Sequence, residues 1–316
     1  MRIWAVPVLL LLVSSGLCAA LERRESSHFV YHLSAPGLQP RADSALSAAR
    51  TRLITLLKDT LDYQPDIYIV DDLGTFDSLI GGKFPDWGAA AAIPTRKRIV
   101  LKSPFAFNLN RSLEELLPHE YSHLVLAHRT GFYSAPRWFD EGLAMMVSME
   151  WGWSDNLAMS KAAVFHQLLT LDTIELVNRF SEGQAHVAYA TSYLAVSYLY
   201  KQYGGEAVNQ LLDSLARGRS VDAALLAATG SNYRDFEKEF RVYLEERFNV
   251  TSLMADTMYF WLALAFILIL GGYLQFRRRR SYYKKWEEEE RYQSSDFDYG
   301  NPDDPEEPDD DEPWRK

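Results

Sequence analysis

An uncharged stretch of twenty residues, 257–276, most constrains how this 316-residue chain can fold. At about 1.5 Å rise per residue, a helix of this length is about 30 Å long and matches a bilayer core. Tyr259, Trp261 and Tyr273 lie where interfacial aromatic side chains are found. Four arginines at 277–280 follow at once, and the positive-inside rule places them in the cytoplasm. The sequence therefore predicts one transmembrane helix, 257–276, in a lipid bilayer.

The N-terminus carries a second apolar segment, 3–21, which follows Arg2 and ends in small residues. This layout is typical of a secretory signal peptide, here residues 1–20, with cleavage near Ala20. A second interpretation is a lipoprotein signal acylated at Cys18, the single cysteine of the chain. With the signal removed, the chain is a single-pass membrane protein. Its domain 21–250 is then extracytoplasmic, either periplasmic or extracellular.

The charge of the chain is distributed unevenly. The net charge of −10 argues against a nucleic-acid-binding function, which needs a basic surface. Fourteen acidic residues lie within 287–312. The stretch 277–316 is basic and then acidic, contains prolines and has few aliphatic residues, so we expect a disordered cytoplasmic tail. Its acidic part is either a docking segment for a cytoplasmic partner or a solvated tail without one.

Residues 21–250 predict an α+β fold. Strand-like patterns occur at 27–34, 66–70, 88–94 and 96–102, and a short helix or turn at 72–81. Apolar residues at helical spacing occur at 41–61, 112–129, 136–149, 157–169, 187–203, 205–216, 220–228 and 232–247. Glycines placed to end helices are Gly131, Gly204 and Gly230. We expect a small N-terminal α/β part with a mixed sheet, followed by a mostly helical part.

The helical segment "LEELLPHEYSHLVLAHRTG" contains the pattern H-E-x-x-H at His119, Glu120 and His123. Side chains four residues apart share a face of a helix, so the two histidines can bind one zinc ion. Glu120 is rotated away from this pair and can take a proton from a metal-activated water. The alternative is a structural helix with a hydrogen-bonded histidine and a solvated glutamate.

A catalytic zinc needs a third protein ligand. In the longer pattern H-E-x-x-H-x-x-G-x-x-H a histidine supplies it, but Leu126 and Arg129 replace the glycine and the last histidine here. His128 is one position off and is expected at the helix end in solvent. A glutamate from the next helix is the other solution, and "APRWFDEGLAMMV" provides Glu141, eighteen positions after the second histidine.

The combination of HEYSH and WFDEGLA resembles the gluzincin metallopeptidases, in which H-E-x-x-H is followed by W-x-x-E-G on the next helix. Thermolysin and the M1 aminopeptidases share this plan, and the closer resemblance is to the smaller peptidase MA-like proteins. The resemblance spans about residues 85–205. It implies a peptide or protein substrate, zinc bound by His119, His123 and Glu141, and Glu120 as the general base.

The sequence departs from the family pattern at Pro118, directly before His119. A proline removes one helix hydrogen bond when it lies inside a helix. "SLEEL" is therefore interpreted as a separate turn with a capping box of Ser112 and Glu115. The zinc helix then restarts at 117–118.

A second departure is the absence of the G-A-M-E-N sequence of the M1 exopeptidases. "GAAAA" at 88–92 is interpreted as the edge strand equivalent to the one that carries G-A-M-E-N. The backbone of such a strand can pair with an extended peptide. The candidate substrate-binding residues are Gly88, Ala89, Ala90 and Ala91. The stretch has no glutamate to hold a substrate amino terminus, which favours an endopeptidase. A core strand of small residues is the other interpretation.

Peptide hydrolysis builds an oxyanion, which needs a hydrogen-bond donor opposite the base. In the family this donor is a tyrosine or histidine of a later helix, and 186–204 resembles that helix. Tyr189 is the first candidate, followed by Tyr193 and His186. Ordinary packing is the alternative role for each of them.

Together these features predict a membrane-anchored zinc metallopeptidase. An intramembrane protease is disfavoured, because H-E-x-x-H lies outside both apolar segments. The competing hypothesis is a non-catalytic zinc-binding or peptide-binding module of the cell envelope with the same fold. Glu120 favours the enzyme, since a purely structural zinc site does not need it.

Overall fold

The computed structural model describes residues 21–82, 88–133 and 135–292. The predicted signal peptide and Cys18 lie outside these residues. The chain forms two compact units, Met1–Asp256 and Thr257–Lys316. In the first unit an N-terminal mixed sheet precedes a mostly helical body, which confirms the predicted α+β fold class.

The sheet has five short strands in the described part of the chain: β1 (Glu22–Glu25), β2 (Val30–Leu33), β3 (Asp66–Val70), β4 (Ala90–Ile93) and β5 (Arg98–Lys102). Their spatial order is β1-β2-β3-β5-β4. The three central strands are parallel, and both outer strands are antiparallel to their neighbours. Helix α1 (Gln39–Leu57) connects β2 to β3, and α2 (Leu73–Ile80) follows β3.

The alternation of apolar side chains along the strands produces two cores, because successive side chains point to opposite faces of a sheet. Ile67 and its register partner Ile99 are fully buried in the main core, which extends into the helical body. Val70 and Val100 lie in a small second core with Phe76 of α2. The sheet is therefore covered on both faces.

The rest of the first unit is helical. Its helices are α3 (Leu113–Arg129), α4 (Arg137–Ser148), α5 (Trp153–Val164), α6 (Leu171–Ile174), α7 (Glu182–Ala216), α8 (Val221–Thr229) and α9 (Tyr233–Arg247). Gly131, Gly204 and Gly230 all have positive φ, as expected of helix-ending glycines. At Gly204 the φ of 81° and ψ of 167° interrupt α7 between the two helices predicted there.

Several element boundaries differ from the prediction. The strand predicted at 27–34 is shorter, and β1 was not predicted, because its four residues are all charged and exposed. The helix predicted at 157–169 is α5. It begins earlier because Asp155 accepts a hydrogen bond from the backbone N–H of Gly152, and it stops before His166, whose φ is 54°. Such side-chain caps outweigh hydrophobic spacing at helix ends.

The interpretation of "SLEEL" as a separate turn is wrong. α3 is one helix from Leu113 to Arg129 with Pro118 inside it. The predicted capping box is present, since Glu115 accepts hydrogen bonds from the backbone N–H and the hydroxyl of Ser112. Pro118 lies early in the helix and is buried, so packing offsets the loss of one N–H donor.

Helix α4 lies in very close contact with α7 at Gly142. A Cβ atom built on Gly142 would lie 2.2 Å from the backbone oxygen of Ser192 and 2.8 Å from a methyl carbon of Val196. Only glycine permits this approach, because the obstacle is helix backbone. The contact fixes the position of α4 and with it that of the neighbouring residue, Glu141, which is buried.

The C-terminal helix α10 (Val250–Tyr292) contains the predicted span. Its most apolar stretch has a mean hydropathy of 2.0 and is not buried. Among the described residues, α10 is the one helix that is long and apolar enough to cross a membrane. Disorder was predicted from residue 277, whereas α10 continues through the basic stretch to Tyr292. Lysine, arginine and glutamate are good helix formers, and extending an existing helix avoids the cost of nucleation. The rest of the predicted tail lies outside the described residues.

Gly142→Ala should destabilise the protein by about 1–3 kcal/mol or more, since a methyl group would overlap helix backbone. Gly183→Ala is the matched control, because Gly183 also lies in a helix but has open space around the added methyl. Thermal unfolding of the full chain in detergent measures both. An unchanged midpoint for Gly142→Ala would contradict the close contact.

Candidate metal centre

Three side chains from two consecutive helices converge on one point. His119 and His123 lie one turn apart on α3, and Glu141 lies on α4. One ligand atom of each residue lies within 4.8 Å of those of the other two. His119 and Glu141 are buried and His123 is half-buried, so the cluster lies largely inside the domain. The centroids of the two imidazole rings are 5.0 Å apart, and the ring planes meet at 77°.

The local sequence explains this convergence. Leu117 and Leu124 bury one side of α3 in the core and thereby direct the histidine side towards α4. The connection between the helices is tight, because the hydroxyl of Thr130 lies within hydrogen-bond distance of two carbonyl oxygens, that of Leu126 at 3.1 Å and that of Tyr133 at 2.8 Å. Helix α4 then folds back along α3 and packs against it.

Each histidine is held by a second carboxylate through its Nδ1 atom. His119 Nδ1 lies 3.0 Å from Oε1 of Glu150, and His123 Nδ1 lies 2.6 Å from Oδ1 of Asp140. A carboxylate at Nδ1 accepts the ring N–H there and leaves Nε2 as the free lone pair. Both rings can therefore offer Nε2 to the same ion.

These two carboxylates were missed by sequence reasoning. Asp140 directly precedes Glu141, and this adjacency was the one available signal. No sequence feature indicated that Glu150 contacts a histidine, because the position of Glu150 depends on how α4 ends. Met149 adopts a left-handed conformation (φ 60°), and the backbone N–H of Glu150 bonds back to Met145.

Further charged side chains hold the carboxylates in place. Glu150 accepts hydrogen bonds from Arg111 and from the hydroxyl of Ser148. Arg137 Nη2 lies 3.0 Å from Oε1 of Glu141, while Oε2 of Glu141 lies 3.5 Å from Nε2 of His119. One oxygen of Glu141 therefore faces the histidines and the other faces an arginine.

The electrostatics of the cluster favour positive charge at its centre. Burial alone would lower the pKa of His123, but the carboxylates of Asp140, Glu141 and Glu120 raise it to about 10. Burial lowers the pKa of His119 as well, and Glu141 and Glu150 outweigh it, so the net direction is upward. For Glu141, burial acts to raise the pKa, whereas the two histidines and Arg137 lower it to about 2.

The donor set fits a zinc ion. Two imidazoles and one carboxylate are the ligands of known catalytic zinc sites, which keep one position open for water or substrate. The carboxylates at both Nδ1 atoms are the usual partners of metal-binding histidines. A cation would also satisfy the excess of negative charge around the two rings.

Of the other predicted catalytic residues, some contact this cluster and some contact other side chains. Glu120 is half-buried on the same helix and close enough to raise the pKa of His123. Tyr189 of α7 lies beside Glu141 and bonds to Arg137; burial and Glu141 raise the pKa of its hydroxyl. The two reserve candidates have other partners. Tyr193 stacks on Trp151 at 4.6 Å, and His186 Nε2 bonds to Asp155 at 2.9 Å.

The predicted substrate strand lies at one edge of the described sheet. β4 begins at Ala90, so Gly88 and Ala89 precede it, and α3 packs against the strand. His128, expected in solvent, is instead half-buried, with Nε2 3.3 Å from Oδ1 of Asp62. It lies about 1.4 turns beyond the second histidine and does not belong to the cluster.

The fold brings the two histidines of H-E-x-x-H together with a glutamate of the following helix, in an arrangement that could hold a metal ion. Residues 49–246 match the Peptidase MA superfamily, and this range contains the three clustered residues. The chain therefore belongs to the Peptidase MA superfamily, as its motifs predicted. None of the curated proteins matches the chain.

Asp140→Asn and Glu150→Gln should each weaken zinc binding about 10–100-fold, because each removes the acceptor that orients a histidine. Glu206→Gln, an exposed carboxylate outside the cluster, is the control and should leave the affinity unchanged. Titration of the full chain against a chelator of known affinity measures this. Wild-type affinity in both variants would show that the two contacts do not orient the ligands.

Proposed function

We propose that this protein is a membrane-anchored zinc metallopeptidase that hydrolyses peptide bonds within peptides or proteins. The observation that carries the proposal is the convergence of His119, His123 and Glu141, with the Nδ1 atom of each histidine engaged by a carboxylate. Membership of the Peptidase MA superfamily supports the same reaction class.

The three clustered residues would hold the zinc ion. When bound, zinc supplies a Lewis acid that lowers the pKa of a water molecule and polarises the scissile carbonyl group. Glu120 acts as the general base: its carboxylate takes a proton from the attacking water and delivers it to the leaving amine. It follows His119 directly on α3, so it is next to the ligands without being part of the cluster.

Tyr189 is proposed as the donor to the developing oxyanion. It approaches the centre from α7, a different helix from the one that carries the base. Its raised pKa keeps the hydroxyl protonated at neutral pH, as a hydrogen-bond donor requires. Arg137 bonds to this hydroxyl and to Glu141, and so holds the tyrosine near the ligand set.

Substrate binding is proposed along β4, with Gly88, Ala89, Ala90 and Ala91 as the contact residues. The strand lies at a sheet edge and packs against α3, which carries the base. An extended peptide can add to such an edge through main-chain hydrogen bonds. A peptide bound in this way can extend past the site in both directions, which supports endopeptidase activity.

The proposed location follows from α10. Its apolar, unburied stretch is the membrane span, and the basic residues after it mark the cytoplasmic end. The catalytic domain is then extracytoplasmic, with peptides or proteins of that compartment as substrates. The tail is the proposed contact for a cytoplasmic partner.

Glu120→Gln should retain zinc and the fold while peptide hydrolysis falls about 10²–10⁴-fold, the cost of a lost general base. Peptide binding should persist, so that the variant traps substrate. Glu245→Gln, an exposed pair partner of Arg241, is the matched control. Cleavage of a peptide library and zinc content are measured on the full chain in detergent.

Two results would contradict this assignment. Equal cleavage by wild type and Glu120→Gln would remove Glu120 from the mechanism. A zinc-loaded wild type that cleaves no peptide of a broad library, but binds some of them, would favour the non-catalytic binding module.

Tyr189→Phe should lower the turnover of a cleaved peptide about 10²–10³-fold, as the loss of one oxyanion donor does, with zinc affinity unchanged. Tyr193→Phe is the control on the same helix, since Tyr193 stacks on Trp151 instead of approaching Glu141. Steady-state kinetics measure the turnover of both variants. Similar turnover in the two would assign Tyr189 to packing.

A further inference from the structure

We propose that helix α5 lies on the membrane surface and that its exposed apolar stripe contacts lipid. The proposal rests on the membrane span proposed above for 257–276. It adds a second contact between the catalytic domain and the bilayer, made by residues about a hundred positions earlier in the chain.

The stripe runs along one side of α5. Trp153 at its start is 62% exposed, and Phe165, the residue after its end, is 64% exposed. Leu157 and Val164 are half-buried between them, and Lys161 is exposed. At about 100° per residue these side chains occupy about one third of the helix circumference. Exposed apolar side chains aligned along one such stripe mark a candidate interaction surface.

One edge of the stripe, at Trp153 and the neighbouring Ser160, is fixed to the segment that leads into the span. The indole N–H of Trp153 donates to the carbonyl oxygen of Asp256 at 3.1 Å. The hydroxyl of Ser160 donates to Oδ2 of Asp256 at 2.8 Å and lies 3.3 Å from the hydroxyl of Ser252. α5 is therefore held to 252–256 at two points, two helical turns apart.

The covalent chain then places α5 at the water–lipid boundary. Asp256 is charged and directly precedes the uncharged stretch, so it lies at the boundary when 257–276 crosses the membrane. Trp153 bonds to the backbone of this same residue, which brings its indole ring to the level of the interface.

The chemistry of the stripe suits an interface and not bulk water. Tryptophan is enriched at membrane–water boundaries, where its ring faces lipid and its N–H finds a polar partner. A lysine among apolar residues can extend its amine to the headgroups. The acidic residue of α5, Asp155, is buried on the other side, where it bonds to His186. Helix α5 itself therefore presents no acidic side chain to anionic lipid.

Single-cysteine labelling of the full chain in lipid nanodiscs tests the proposal. Cys18→Ser gives a cysteine-free background. A fluorophore is attached at Trp153→Cys or Phe165→Cys, and phospholipids that carry a nitroxide in the upper acyl chain serve as quenchers. Phe165→Cys leaves both contacts of α5 with Asp256 in place, so it remains informative if Trp153→Cys loosens the helix. We expect a blue-shifted emission and a loss of emission with the nitroxide lipid at both positions.

Two reference positions make the outcomes distinguishable. Ile267→Cys lies in the proposed span and should be quenched, while Leu226→Cys, exposed on α8, should not. Quenching at 267 but at neither 153 nor 165 would overturn the proposal and leave the anchor intact. Quenching at 226 equal to that at 153 and 165 would also overturn the proposal and leave the anchor intact. No quenching at 267 would overturn the anchor and with it the proposal. Protection of the stripe without quenching would identify a protein partner as its occupant, against the proposal.

Discussion

The close contact between α4 and α7 at Gly142 is the interaction on which the metal centre depends. Helix α4 lies between α3 and α7, and its distance from α7 is set by the absence of a side chain at this one position. Glu141 precedes Gly142, so any outward shift of α4 would move its carboxylate relative to the two histidines. The fold thus places this carboxylate beside the histidines by backbone packing.

The second constraint is the pairing of buried charges around the centre. Buried ionised groups cost several kcal/mol each unless partners compensate for the lost hydration. Here every clustered group has one: Glu150 and Asp140 hold the histidines, and Arg137 holds Glu141. Arg111 and Ser148 in turn hold Glu150. This network leaves one direction open from each ligand, towards the common point, and makes that point favourable for a cation.

Much of the fold and of the site could be predicted from the sequence. The i, i+4 spacing of His119 and His123 needs only helix geometry, and Glu141 followed from the motif on the next helix. Glu150 could not be found, because its approach to His119 depends on the left-handed residue that ends α4. The role of Gly142 was also missed, since a sequence does not show which helix it meets. The disorder predicted over 277–292 is wrong, because the charged residues there are good helix formers and extend a helix that already exists.

The zinc content of the purified full chain tests the central claim most directly, by elemental analysis of wild type and of His119→Ala, His123→Ala and Glu141→Ala. His28→Ala, an exposed histidine outside the cluster, is the control. The structure predicts about one zinc per chain in wild type and in the control, because the described residues contain one such cluster. It predicts a large loss of zinc in each ligand variant. Full zinc occupancy in both His119→Ala and Glu141→Ala would contradict the three-ligand centre.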